Sequence, residues 1–249
     1  EENQGYAKWI ENEHLSIFNF DNHNLKYYIH NVGNNGKTAD MDYAEEYVEK
    51  SGDILDQNYA IYPYSEANEA ANGVIYSEIP AVQTFDAESN FKNVPIVACS
   101  PDTSLSFSIP TAIYRYKVKK QNHPSKFYLK SITMTSASRN IAGAIEIDMT
   151  AEKPVAVVTG DSKSVTLDLG ENGVEITTTE QYFYIALPAI SFPENDRTIT
   201  CLVSKGGKDY QVVIEKDNVM DLEAGVVKST SIELKATSFT ANSVYPSTG

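Results

Sequence analysis

The run Thr198-Ile199-Thr200-Cys201-Leu202-Val203-Ser204, then Lys205-Gly206-Gly207, then Lys208-Asp209-Tyr210-Gln211-Val212-Val213-Ile214 decides the fold class. Ile199, Cys201 and Val203 fall on one side of a period of two, and so do Tyr210, Val212 and Ile214. Between them Gly206 and Gly207 supply a turn, because a residue without Cβ tolerates positive φ. This is a β-hairpin with one face in a core. Working outward, Ile145, Ile147 and Met149 alternate with Glu146 and Asp148, and Ser164–Leu169 alternates in the same way.

Further strands are expected at Leu15–Phe20, Lys26–His30, Tyr59–Tyr64, Val74–Ile79, Ile96–Cys99, Leu105–Ile109, Tyr114–Val118, Phe127–Met134, Tyr182–Leu187 and Lys228–Leu234. Thr, Val, Ile and Tyr crowd these runs, as a pleated, half-buried surface prefers. Only Asp42–Lys50 reads as a helix, with Tyr43 and Tyr47 four residues apart. Many short strands separated by Asn, Gly, Pro and Asp turns imply an all-β protein built as β-sandwiches, with few short helices. The alternation predicts a core containing Ile132, Ile145, Ile147, Leu167, Phe183, Ile185, Ile199, Cys201, Val212 and Ile214.

The 249 residues carry 20 Lys and Arg against 34 Asp and Glu, a net charge of −14. That balance disfavours nucleic acid and anionic membrane surfaces, both of which need a basic footprint. The charge is uneven: residues 1–103 hold 18 acids and 5 bases, residues 104–249 hold 16 and 15. The step predicts two domains, an acidic one over 1–103 and a second over 104–235, with residues 236–249 as a tail. No apolar run approaches the ~18 residues of a membrane span. The chain opens Glu1-Glu2-Asn3-Gln4, read as a mature or trimmed form.

Chemistry-bearing motifs are incomplete. Gly36-Lys37-Thr38 has Asn31 where a phosphate-binding loop needs its first glycine. Ser89-Asn90-Phe91-Lys92 has the spacing of a serine acyl-enzyme motif without its partner motifs. His14, His23, His30 and His123 form no pair spaced for zinc, and Asp21-Asn22-His23-Asn24 lacks the ligand ladder of a calcium loop. Cys99 and Cys201 are too few for a disulfide scaffold and read as buried thiols. No catalytic, cofactor-binding or metal-binding residue is assigned, and the chain is read as a non-enzyme. Sixteen tyrosines, clustered at Tyr27-Tyr28 and Tyr62-Pro63-Tyr64, fit either the rim of a core or a surface that stacks on sugars or anchors a protein partner.

Taken in order, several segments resemble the fimbrillin family, the type V pilus subunits of Bacteroidetes surfaces. They are Trp9 with Leu15–Phe20, Tyr62-Pro63-Tyr64-Ser65, Ile79-Pro80-Ala81-Val82-Gln83, Leu105-Ser106-Phe107, Lys130-Ser131-Ile132 with Ile141-Ala142-Gly143, Phe183-Tyr184-Ile185-Ala186-Leu187-Pro188, Gly206-Gly207-Lys208-Asp209-Tyr210 and Leu222-Glu223-Ala224-Gly225. The resemblance implies two transthyretin-like, Greek-key β-sandwiches in tandem. It also implies export as a lipoprotein to the outer-membrane surface, and a structural or adhesive role in a fimbria. Assembly would be with other pilin subunits, as a homo- or hetero-polymer, by β-strand exchange. Known members are matured at an N-terminal arginine, whereas the first arginine here is Arg115. Cleavage at Lys8 or Lys26, a chain already cut, or no cleavage remain as alternatives. A monomeric surface lipoprotein that binds glycan or host protein is the rival reading.

The tail Lys235–Gly249 keeps Phe239, Ala241, Val244 and Tyr245, and is either a donor strand or a segment packed on its own domain. Phe239 and Ala241 share a face with Ser243 and Tyr245, and Val244 lies opposite.

Overall fold

The computed structural model describes residues 8–20, 23–44, 54–87 and 92–241. Eight strands fall before residue 103: β1 (His14–Phe20), β2 (Leu25–Gly33), β3 (Thr38–Tyr43), β4 (Ile54–Tyr62), β5 (Glu69–Ala71), β6 (Val74–Ile79), β7 (Val82–Thr84) and β8 (Ile96–Ser100). Thirteen follow: β9 (Ala112–Lys120), β10 (Phe127–Ser136), β11 (Gly143–Asp148), β12 (Ala156–Val158), β13 (Ser164–Asp168), β14 (Val174–Ile176), β15 (Gln181–Leu187), β16 (Ser191–Phe192), β17 (Arg197–Lys205), β18 (Lys208–Lys216), β19 (Met220–Asp221), β20 (Val227–Leu234) and β21 (Thr240–Ala241). The helical segments among the described residues are two single 3₁₀ turns, Asn34–Gly36 and Ala236–Ser238. The molecule is an all-β sandwich protein.

Four sheets build it. One runs β3-β2-β1-β4-β8; a second, seven-stranded, runs β21-β18-β17-β10-β13-β7 with β14 also on β10. A third runs β12-β11-β6-β5 and a fourth β15-β9-β20, while β16 and β19 form a separate pair. The hairpin read from Thr198–Ile214 is β17–β18, paired from Arg197↔Lys216 to Lys205↔Lys208. Its glycines have φ of 60° and 75°, in the left-handed region that the turn demands. Nine of the ten residues named for the core are buried; Ile214 is half-buried, because β18 lies near the sheet edge.

Three differences from the sequence reading have plain causes. Asp42 and Tyr43 end β3 rather than open a helix, since Tyr43 pairs with Tyr27 across the sheet; residues 45–50 lie outside the described residues. Leu105–Ile109 forms no ladder: it is an extended segment tied by one bridge, Ser108 to Val97, and its alternate apolar residues lie on the first sheet. Cys99 is half-buried, not buried; both thiols are free.

Hydrogen bonding crosses residue 103. Strand β6 pairs with β11 and β7 pairs with β13, so residues 74–84 share sheets with strands far downstream. One hydrophobic cluster likewise joins Phe18, Ile61 and Val97 to Ile75, Ile145, Ile132 and Phe183. Gln83 closes an edge between two sheets: its amide donates to Ala186 O at 2.9 Å and accepts from Ala186 N at 2.8 Å. A buried primary amide can imitate a strand's backbone in this way, satisfying both groups at once.

Candidate strand-exchange site

Strand β1 lies at the centre of the five-stranded sheet although it comes from the start of the described chain. It pairs antiparallel with β2 (His14↔Tyr28 to Ile17↔Leu25) and with β4 (Ser16↔Ile61 to Phe18↔Tyr59). Leu15, Ser16, Ile17 and Phe18 are all buried. A strand covered on both faces needs a near-continuous apolar run, and this is why its alternation is weak. Leu15 and Ile17 pack with Ile29, Ala60, Tyr62, Ile96 and Ala98 on the outer face, while Phe18 packs with Ile61 and Val97 on the inner one.

Ser16 is the polar exception. Its Oγ accepts a hydrogen bond from Asn68 Nδ2 at 3.0 Å, and Asn68 Oδ1 accepts from Ser77 Oγ at 2.7 Å. The Asn68 amide also donates to Pro63 O at 3.1 Å, and the residue is 2% exposed. Buried polar groups hold their place only when paired, so this amide fixes what β1 presents at residue 16. Nothing in the local sequence around Asn68 signals this role; the partners lie 52 and 9 residues away.

Residues 8–13 continue β1 as a strap across β2. Trp9 N donates to Gly36 O (2.9 Å), Asn12 N to Ile29 O (2.8 Å), and Ile29 N to Glu13 O (2.8 Å). Val32 N donates to Glu11 Oε1 at 2.8 Å. The Trp9 ring stands edge-on to Phe107 and Tyr62, with centroids 4.9 and 5.9 Å away. Tyr62 O–H donates to Glu13 Oε2 at 3.0 Å. Burial pushes the Glu13 carboxyl above its ordinary value, and the Tyr62 hydrogen bond only partly offsets that. Burial, then the Glu13 charge, pushes the Tyr62 phenol far up.

The outer face of the sheet is covered only in part. Leu105, Phe107 and Ile109 pack on it, leaving one cavity of about 640 Å³ bordered by Ile17, Tyr27, Met41, Asn58 and Leu105 and another of about 510 Å³ beside Trp9, Ile96 and Phe107.

Of the two lysines named for cleavage, Lys8 is exposed and its Nζ donates to Asn35 Oδ1 at 3.2 Å. Lys26 is the second residue of β2, opposite Ser16, with Nζ 5.0 Å from the centre of the Tyr64 ring. The structure separates the four tail residues. Phe239 packs on its own chain, its ring 4.9 Å from Phe127 and 5.5 Å from Tyr210. Ala241 is exposed and pairs with Tyr210 at the edge of the seven-stranded sheet. Val244 and Tyr245 lie outside the described residues.

Elsewhere, Asp196 and Arg197 are buried polar anchors at the base of β17. Asp196 accepts from Ser136 Oγ and, at 2.8 Å, from Ser138 N; Arg197 Nη2 donates to Asn218 O at 2.6 Å. Burial alone would push the Asp196 carboxyl up, but the hydrogen bonds from Ser136 and Ser138 outweigh it and hold it below its ordinary value. Burial pushes the Cys201 thiol up to about 12, the mark of an unreactive sulfur. Among the described residues no group of three His, Cys, Asp or Glu side chains is placed to hold a metal ion, and no helix is long and apolar enough to cross a membrane.

No protein-family model and no curated protein matches the sequence. Solved structures do match the fold. A candidate cell-adhesion protein from Bacteroides ovatus aligns with a TM-score of 0.53 at 15% identity, over 95% of this chain and 87% of that one. One from Bacteroides uniformis gives 0.51 at 14%, over 94% and 91%. One from Bacteroides fragilis gives 0.51 at 10%, over 100% and 90%. At these identities the likeness is one of fold, and the all-β architecture it extends over nearly the whole chain is the one that the fimbrillin resemblance implies.

Proposed function

We propose that the chain is a structural, adhesive subunit of a cell-surface fimbria, assembled by β-strand exchange with other pilin subunits. One observation carries the reading: β1, from the start of the described chain, is a central strand buried on both faces and paired on both edges. Withdrawing it opens two rows of backbone groups, on β2 and β4, together with the apolar sites of Leu15, Ile17 and Phe18. Only another strand satisfies both, which is the physics of β-augmentation. The fold shared with candidate adhesion proteins supports the same role, as does the fimbrillin resemblance. On this reading the subunit is exported as a lipoprotein and displayed at the outer-membrane surface. We read its body as two sandwiches joined by sheet rather than at residue 103, with β11 and β12 added to β6 in the first.

Lys26 is the productive cleavage point. A cut at Lys8 leaves β1 in place, whereas a cut at Lys26, reached by fraying two residues of β2, releases it together with Leu25 and Lys26, its partners at Ile17 and Ser16, so that β4 and β2 from Tyr27 onward line the emptied groove. Controlled digestion with a lysine-specific protease tests this. A ladder of polymers resistant to detergent is expected from the wild-type chain and from Lys8→Gln, but not from Lys26→Gln. A chain that stays monomeric after cleavage at Lys26 would sink strand exchange.

The rival, a monomeric binder of glycan or host protein, draws on the cavity of about 640 Å³, where Tyr27 and Met41 sit beside Asp40, Asp42 and Asn58. Neutral sugars are held by such a mixture of aromatic and hydrogen-bonding groups. Binding on a glycan array that is lost in Tyr27→Ala would favour it.

A further inference from the structure

We propose that the outer face of β9 binds a polysaccharide bearing uronate carboxylates, with Arg115 as the anchor. The inference deepens the adhesive half of the reading above and does not depend on strand exchange. Strand β9 is the middle strand of the β15-β9-β20 sheet. Tyr114, Tyr116 and Val118 lie in the core, so Arg115, Lys117 and Lys119 share the opposite face. Successive cations of that row stand about 6.6 Å apart, two strand residues each. In register, Arg115 lies between Tyr184 and Ser229, and Lys117 between Tyr182 and Ser231. Tyr182, Ser229 and Ser231 are exposed, whereas Tyr184 is buried in a cluster with Val94 that closes one end of the face.

Arg115 is oriented before any ligand arrives. Its guanidinium carbon is 5.4 Å from the centre of the Tyr182 ring, and Nε donates to Ser229 Oγ at 2.9 Å. Among the described residues no carboxylate comes within ion-pair distance of Arg115 or Lys117. Lys119, at the far end of the row, faces Glu233, whose carboxylate is 3.1 Å from Lys235 Nζ. The unmatched charge therefore sits at two neighbouring positions, in a chain whose net charge is −14. Two cations are too few for a nucleic-acid backbone or an anionic membrane, which need a dense basic footprint. They do suit a polymer with one carboxylate on each ring. The carboxylate accepts two parallel bonds from the guanidinium fork, and the next one reaches Lys117. The sugar ring packs on the exposed part of Tyr182, and its hydroxyls meet Ser229 and Ser231. An acidic peptide offers the carboxylates without the stiff ring that Tyr182 would hold.

Titration of the full, uncut chain with polygalacturonate at low salt tests this. The fully methyl-esterified polymer masks the carboxylates on the same backbone and should bind about tenfold more weakly or not at all. Arg115→Gln should lose about tenfold, and Arg115→Lys nearly as much, because a lysine keeps the charge without the fork. Tyr182→Ala should lose about fivefold and Tyr182→Phe should stay within about twofold, since the ring and not its hydroxyl is used. An unchanged melting curve shows that each variant is folded; should Arg115→Gln fail to fold, a loss of about threefold in Lys117→Gln carries the same test. No binding by the wild type, equal binding of the methyl ester, or polyglutamate bound as tightly as polygalacturonate would overturn the proposal. So would a loss confined to Tyr27→Ala, which places the sugar in the cavity of the first sheet. The ladder of polymers is scored separately. A chain that binds polygalacturonate without polymerising keeps this site and loses strand exchange, and the reverse result removes this site alone.

Discussion

The β17–β18 hairpin and strand β1 are both interior to their sheets, yet they are held in different ways. The hairpin pairs over nine residue pairs across a two-glycine turn, and β17 pairs with β10 over eight more. Strand β1 has four pairs to β2 and four to β4, interrupted by an irregularity after Phe18. One is a local structure whose partner is its chain neighbour. The other pairs with its chain neighbour β2 on one side and with β4, up to 45 residues further on, on the other, and beside its outer face lies a cavity. With four pairs on each side, β1 is tied into its sheet by fewer bonds than the hairpin, and the less firmly tied parts of a fold open more readily.

The largest expected effect tests that contrast directly. Ile132→Ala, on β10 beside β17 and wholly buried, should cost about 2–5 kcal/mol in urea unfolding, because the cavity cannot collapse. Ile17→Ala on β1 should cost less, since empty space already adjoins it. Equal losses would mean that the outer face of the first sheet is as tightly packed as the second core.

Next comes the base of β17. Asp196→Asn should lower stability by about 1.5–3 kcal/mol, the range for hydrogen bonds to a charged group. The carboxyl sits below its ordinary value when folded, so its contribution is present above the unfolded value and fades as pH falls through the folded one. The wild type should therefore lose more stability than the variant between neutral pH and strongly acid solution. Parallel acid profiles would remove Asp196 from this role.

Asn68→Ala should cost about 1–3 kcal/mol, from the unpaired hydroxyls of Ser16 and Ser77. Its signature is local: amide exchange should rise in β1 and its neighbours while β17 and β18 stay protected. A uniform rise would place Asn68 in the common core instead of at an exchangeable strand.

The smallest effect concerns the strap. Glu13 is raised by burial, so its contribution is greatest below the ordinary glutamate value and declines as pH rises through the folded value. Glu13→Gln should flatten the melting temperature across that mildly acid range and keep the Tyr62 hydroxyl hydrogen-bonded. An unchanged slope would show that the strap is too open to feel the charge.

Strands β10, β11, β13 and β17 were legible because each buries chiefly one face, so Ile145, Ile147, Ile199 and Cys201 mark the core by alternation alone. The first sheet was harder. Leu15-Ser16-Ile17-Phe18 is buried on both faces and has no alternation to read. Tyr43 and Tyr47, four apart with acids between them, gave Asp42–Lys50 a helix-like look, and pairing with β2 is what makes Asp42 and Tyr43 the end of a strand. Leu105, Phe107 and Ile109 alternate like a strand but spend that alternation lying across a sheet, not hydrogen-bonded within one.

Composition, the period of two and the glycine turn were enough to make this chain all-β and to name nine residues of its main core. Those are properties of neighbours in sequence, and local sterics and alternation suffice to express them. Tertiary structure alone decided that β6 and β7 join strands beyond residue 103, that Gln83 stands in for backbone against Ala186, and that Asn68 meets Ser16. Each of these pairs groups separated by 52 or more residues, and a buried polar atom can be matched to its partner only once the packing has brought the two together.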